Sequence, residues 1–315
     1  MTLHSAKTMS LCGVILLSKY AGSTLYGRRY KLIIGMGGTK GIEVTNLHCI
    51  FTVEKSMSED PNPSIIQIHN LAPGTRNNIL ANARRVIIEA GYEGPQYGLI
   101  YDGDIVRGLK RGPNSIDKIT ELVAQDGDAF LNGGFISVSY AAGYTSEDIF
   151  RSMTRVGDNK VSMGAVSENM KNTQLARGKA MFGQPKDYLH NIAKSEGALF
   201  YVCDRKINMV KPMDLPVSEI VSLSPRSGLV GTPEQTEDGI KGLCLLNPLL
   251  NLNTLVHVSN EFVQQEASLG GLSTGVYKII SLRHVGDSRG DEWHTEFIGI
   301  AQPGAIPHTG KSFNS

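Results

Sequence analysis

The sequence predicts an α+β fold that is predominantly β, with two β-barrel domains and an α+β domain inserted between them. Three observations predict it. Glycine supplies 35 of 315 residues, above the usual share of ~7%, and blocks of helix-favouring residues are few. Apolar and polar residues alternate at the strand period in the first and last thirds of the chain. Helical spacing is concentrated in the middle.

In the first third, Leu47, Cys49, Phe51 and Val53 alternate with Asn46, His48, Thr52 and Glu54, the pattern of a half-buried strand. Glu59, Asp60 and two prolines then break the strand, and Ile66 and Ile68 resume it. Pro73 opens a helix, because its missing N–H is not needed in the first turn, and that helix is expected to end near Ala83. Val86, Ile88 and Ala90 form another alternating face. The glycine-rich 91–98 stretch and the return from Leu99 to Val106 make it a hairpin. In the middle, strand-like runs at Ile119–Ala124 and Phe135–Tyr140 flank a Gly/Asp/Asn turn. Thr145 with Asp148 spells a capping box, and Ile149, Met153 and Val156 recur at helical spacing. A second helix is expected over 186–194, and a hairpin turns through Asp204 to Lys206. Strands return at Leu243–Leu246, Leu255–Val258, Val276–Leu282 and Trp293–Ile300. The expected divisions are an N-terminal extension 1–26, a first β-barrel domain 27–115 and an α+β insert 116–220. A second β-barrel domain 221–302 and a flexible tail 303–315 complete them.

Composition narrows the function classes. The 31 basic and 30 acidic side chains leave a formal charge of +1, without the basic excess that phosphate neutralisation demands of a dedicated nucleic-acid binder. With 41% hydrophobic and 19% charged residues, wholesale disorder is excluded. The four cysteines, Cys12, Cys49, Cys203 and Cys244, lie far apart, so buried free thiols in a reducing compartment are the plain expectation. The apolar run Leu11–Leu17 is far shorter than the ~20 residues of a membrane span. A signal peptide is the sharper reading of this leader, with Lys7 before it and Ala21, Gly22 and Ser23 after it. Its thin basic region favours a translated leader or a short strand instead.

Several motifs invite chemistry, and their context fails each one. The cluster Gly35 to Gly41 lacks Walker spacing and is followed by strand-like residues, so it reads as a β-turn. Asp126-Gly127-Asp128 begins like a calcium loop, but Ser137 stands where a bidentate glutamate is required. His257, His284 and His294 lie on strands without the carboxylate or thiolate spacing of a metal site. Cys203 or Cys244 could pair with a histidine in space, yet both sit where packed thiols sit. Arg289-Gly290-Asp291 spells an integrin-binding tripeptide in what reads as a charged hairpin loop. No catalytic, cofactor-binding or metal residue is therefore expected, and no cofactor.

Several stretches carry a family resemblance. They are Gly27-Arg28-Arg29-Tyr30-Lys31-Leu32, Ile66-Gln67-Ile68-His69-Asn70-Leu71 before Thr75-Arg76, and Ala90-Gly91-Tyr92-Glu93-Gly94 with Gly103-Asp104-Ile105. Gly228-Leu229-Val230-Gly231-Thr232-Pro233-Glu234 follows, continuing through Gly239-Ile240-Lys241 to Leu245-Leu246-Asn247-Pro248. His284-Val285-Gly286-Asp287 and Trp293-His294-Thr295-Glu296 complete the set. In order and spacing the chain resembles the baseplate central hub proteins of contractile-tailed bacteriophages, over most of residues 27–300.

The resemblance implies a homotrimer whose subunits each contribute two tail-tube-like β-barrels, so that six barrels meet a six-fold tail tube above and a three-fold spike below. It implies contacts with the tube protein, the central spike, the tape-measure protein and the baseplate wedges. It also implies transient passage of phage DNA without sequence-specific binding, and a place in the virion baseplate after assembly in the host bacterial cytoplasm. A polar or acidic lumen is expected, because a basic wall would hold the phosphate backbone. Some hubs carry a fused cell-wall hydrolase, but here only about fifteen residues follow the last expected strand, so no enzyme is expected. Two alternatives stand beside this reading: the hub of a tailocin or related injection system, and a Cys/His peptidoglycan hydrolase.

Overall fold

The structure is a computed structural model that describes residues 25–36, 41–94, 96–112, 116–154, 161–168, 170, 173–212, 214, 216, 220–236, 239–258 and 276–301. The leader with Cys12, the centre of the glycine cluster, Val156 and the C-terminal tail lie outside these residues. Most of the described chain is antiparallel sheet, as the alternation predicts.

The first β region contains β1 (Arg28–Met36), β2 (Gly41–Val44), β3 (Cys49–Ser56), β4 (Pro63–His69), β5 (Ala83–Tyr92), β6 (Tyr97–Arg111) and β7 (Ile119–Gln125). The first helix, α1 (Pro73–Asn82), begins at its proline and ends one residue before Ala83. Burial along β3 alternates strictly, with Cys49, Phe51, Val53 and Lys55 inward. The strand over 119–125 forms as expected, but β7 lies between β4 and β6 of the first β region rather than with the helices that follow it. Its inward residues Leu122 and Ala124 complete that region's apolar face.

The middle of the chain builds α2 (Asp128–Leu131), β8 (Ile136–Tyr140), α3 (Ser146–Met153), β9 (Ser162–Val166), β10 (Lys179–Gly183), α4 (Pro185–Glu196), β11 (Leu199–Cys203) and β12 (Lys206–Val210). Thr145 and Asp148 make the expected reciprocal capping box on α3. Gly197, in the left-handed region at φ 62°, ends α4. Phe130, Ile149, Phe150, Leu189 and Phe200 belong to a core of their own.

The last region adds β13 (Val221–Leu223), β14 (Leu229–Thr236), β15 (Gly239–Leu245), β16 (Leu255–Val258), β17 (Val276–Asp287) and β18 (Trp293–Ala301). Among the described residues the main sheet runs β14-β15-β18-β17-β3-β4-β7-β6-β5-β1-β2, so β3 and β17 join the two β regions into one sheet. Their antiparallel register extends from Ser281 opposite Ser56 to Asp287 opposite Ile50. Leu246 and Trp293 of the last region pack into the core of the first. Strand β14 carries Pro233, which donates no ladder bond, and its place at the end of the pairing order makes that tolerable.

Candidate functional site: a buried ionic junction and the surface beside it

The two-residue turn between β11 and β12 is the point where the three parts of the chain meet. Asp204 and Arg205 both take left-handed backbone, at φ 51° and 57°, as a tight hairpin of this kind requires. Neither is glycine, so the turn needs outside support. Asp126 supplies it: its carboxylate accepts the N–H of Asp204 at 2.5 Å and of Arg205 at 3.0 Å.

The Asp204 side chain then enters the interior. It accepts from Lys55 Nζ at 2.6 Å and from Asn251 Nδ2 at 3.1 Å, and its other oxygen accepts the Asp102 N–H at 3.2 Å. Lys55 belongs to the first β region, Asp204 to the middle and Asn251 to the last, and Lys55 is 2% exposed. Arg205 reaches Asp104 at 3.2 Å.

Electrostatics follow from burial and pairing. Burial pulls the Lys55 pKa down, but the adjacent Asp204 charge overrides it and keeps the ammonium protonated. Burial also opposes ionisation of Asp204, and Lys55 outweighs it, leaving that carboxyl below its ordinary range. Burial and the neighbouring Asp204 charge raise Asp126 instead. His284 is fully buried, with Nδ1 2.8 Å from Thr295 Oγ1. Desolvation, then the Lys55 charge, push its pKa down to about 3, so the ring is neutral.

One potential donor atom each from Asp126, Cys203 and Asp204 lies within 4.8 Å of the others. Lys55 already provides the cation there, and both oxygens of Asp126 accept turn N–H groups. Burial pushes the Cys203 thiol well above its usual range, and its sulfur donates to Asn251 Oδ1 at 3.3 Å. The donor set thus fits a salt-bridged junction better than a metal ion.

The other sequence candidates are dispersed. Cys244 is buried without ionic help and its pKa rises to about 12. His294 stands 3.4 Å from Glu296, and His257 lies on β16, so the three histidines do not form a donor group among the described residues. Asp128 opens α2, and Ser137 sits on β8, so the calcium-like stretch is a strand-to-helix step. Gly35 faces Gly41 across the β1–β2 pair, a strand-to-strand context rather than a phosphate loop. The Arg289-Gly290-Asp291 turn is pinned from within: Asp287 accepts both the Arg289 and Gly290 N–H groups at 2.8 Å. Sequence reasoning missed Lys55, although its inward position in the alternation of β3 was the available signal.

Concavities among the described residues flank the junction and the β17–β18 turn. One, of about 960 Å³, lies over the junction between β9 and residues 251–254. The other, of about 690 Å³, lies between β1 and the β17–β18 turn.

A family model described as baseplate hub gp41 matches residues 34–290. The chain belongs to this baseplate hub family. Its hub fold is similar to a tail protein from Neisseria meningitidis, with a TM-score of 0.57, 14% identity, and coverage of 87% of this chain and 97% of that one. It is also similar to the 43 kDa tail protein of prophage MuSo2 from Shewanella oneidensis, with a TM-score of 0.56, 11% identity, and coverage of 87% and 98%. A third likeness is to the E. coli c3393 protein, a component of the type VI secretion system, with a TM-score of 0.52, 13% identity, and coverage of 81% and 73%. No curated protein matches the chain in sequence. Among the described residues of this hub, no helix is long and apolar enough to cross a membrane.

Two outcomes are expected from the junction. Lys55→Met strands the buried Asp204 charge and should cost about 3–5 kcal/mol in denaturant unfolding, while Lys55→Met with Asp204→Asn should recover most of it. Equal losses in both variants would contradict a charge-specific role. His284 binds protons more readily unfolded than folded, so its contribution is full above pH ~6.5 and fades as pH falls toward 3. Between pH 6.5 and 5, the wild type should lose about 2 kcal/mol more than His284→Gln. Parallel stability curves would refute it.

Proposed function

We propose that this chain is the homotrimeric central hub of a phage tail baseplate, adapting a six-fold tail tube to a three-fold spike and continuing the DNA channel. The observation that carries the proposal is the β3–β17 pairing, which makes the two β regions of one subunit a single sheet. Such a subunit offers two β units in fixed relation. Three copies offer six, and that count reconciles the two symmetries. Membership of the baseplate hub family supports the same reading.

In this role the chain meets the tube protein above and the spike below, touches the tape-measure protein and the wedges, and resides in the virion after assembly in the host cytoplasm. Its task is structural rather than enzymatic. The raised, buried thiols of Cys203 and Cys244 support that view, since neither hydrogen-bonds a histidine among the described residues. A second reading is the hub of a related injection machine, favoured by the likeness to a type VI secretion component. Genome context separates the two.

The test is the native mass of the purified protein across concentrations. A stable species of three chains is expected, forming a ring with a polar or acidic lumen. A monomer at every concentration, or a lumen lined by lysine and arginine, would contradict the proposal.

A further inference from the structure

The 690 Å³ cavity is built from a basic strand end and aromatic walls. Arg28, Arg29 and Lys31 of β1 enter it, joined by Arg289 from the β17–β18 turn, with Tyr97 and Trp293 behind them. Lys31 is matched by Glu43 at 3.4 Å. The arginines are different. Arg28 donates to the carbonyls of Gly290 at 2.5 Å and Asp291 at 3.0 Å, and its guanidinium lies 5.8 Å from the centre of the Trp293 ring. Arg29 lies 5.6 Å from the centre of Tyr97. Among the described residues, none of Arg28, Arg29 and Arg289 forms an ion pair with a carboxylate.

Stacking on an aromatic face orients a guanidinium and leaves its edge N–H groups available for a planar acceptor. A carboxylate suits that edge through paired N–H···O bonds. We propose that this cavity is a docking site for an acidic polypeptide segment of a partner protein, its carboxylates taken by Arg29 and Arg289. The volume accommodates a few side chains. Glu89 on the same wall, which no cation answers among the described residues, would repel a run of phosphates, whereas a polypeptide can meet it with backbone N–H groups. The inference deepens the hub reading by assigning a chemistry to one of its protein contacts, and rests on it only for the existence of such contacts.

Trp293 is the single tryptophan of the chain and lies buried at the back of the cavity under the Arg28 guanidinium, so its emission reports on the cavity through that arginine. The full-length protein would be titrated with an octapeptide of alternating glutamate and serine. A single-stranded DNA octamer serves as the phosphate probe. Saturable binding of the peptide with a change in Trp293 emission is expected, weakened at least tenfold in Arg29→Gln/Arg289→Gln at unchanged circular dichroism. Should the double variant fail to fold, Arg289→Gln alone, on the exposed turn, should weaken binding about threefold or more. Absence of an emission change, unaltered affinity in the folded variants, or tighter binding of the DNA octamer would each overturn the inference. Native mass read on the same samples keeps the two proposals apart: a trimer that ignores the peptide removes the docking site and leaves the hub reading, and a monomer that binds it does the reverse.

Discussion

The contact on which the architecture depends is the buried pair of Lys55 and Asp204, 2.6 Å apart. A lone ammonium or carboxylate at that depth would be intolerable, so each position requires the other. Lys55 is fixed by the strand parity of β3, and Asp204 by a hairpin turn that Asp126 holds in left-handed backbone. Asn251 closes the set from the last region. Three stretches distant in sequence are thereby committed to one arrangement.

An ion pair of this kind adds little net stability over a well-packed apolar substitute, because desolvation consumes most of the Coulombic gain. Its effect is on specificity. Slipping β3 by one residue would turn Lys55 outward and leave Asp204 unanswered. The pair therefore penalises other registers at the strand that also joins β17 and so connects the two β regions. Lys186 also meets Asp60 at 2.8 Å and Lys278 donates to the Pro212 carbonyl at 2.6 Å, further polar ties between the middle region and the sheet.

Much of the fold was legible because its signals are local. The alternation of β3, the proline that opens α1 and the Thr145 capping box each rest on neighbouring residues, and each forms as read. What the sequence concealed depends on distant partners. Strand β14 shows no alternation because it lies at the edge of the sheet, with Pro233 inside it and mostly exposed side chains. The exposed strand β9 pairs in parallel with β12, a partner some forty residues later, so no turn announces it. The membership of β7 in the first β region was hidden because periodicity gives a strand's faces without naming its neighbours. The junction was half legible: parity marked Lys55 as inward, but nothing local identified Asp204 as its counterion. The arginine cavity was equally dispersed, since β1 and the β17–β18 turn meet only in the fold.

The junction makes the middle region and the sheet one cooperative body. Hydrogen exchange of the wild-type backbone measures this most directly, at the amides of Asp102, Asp204 and Arg205, which donate into the junction. They should exchange with the same opening free energy as the amides of β3 and β17. If the Asp204 and Arg205 amides open well before those strands, the middle region moves on its own and the junction does not unite it with the sheet.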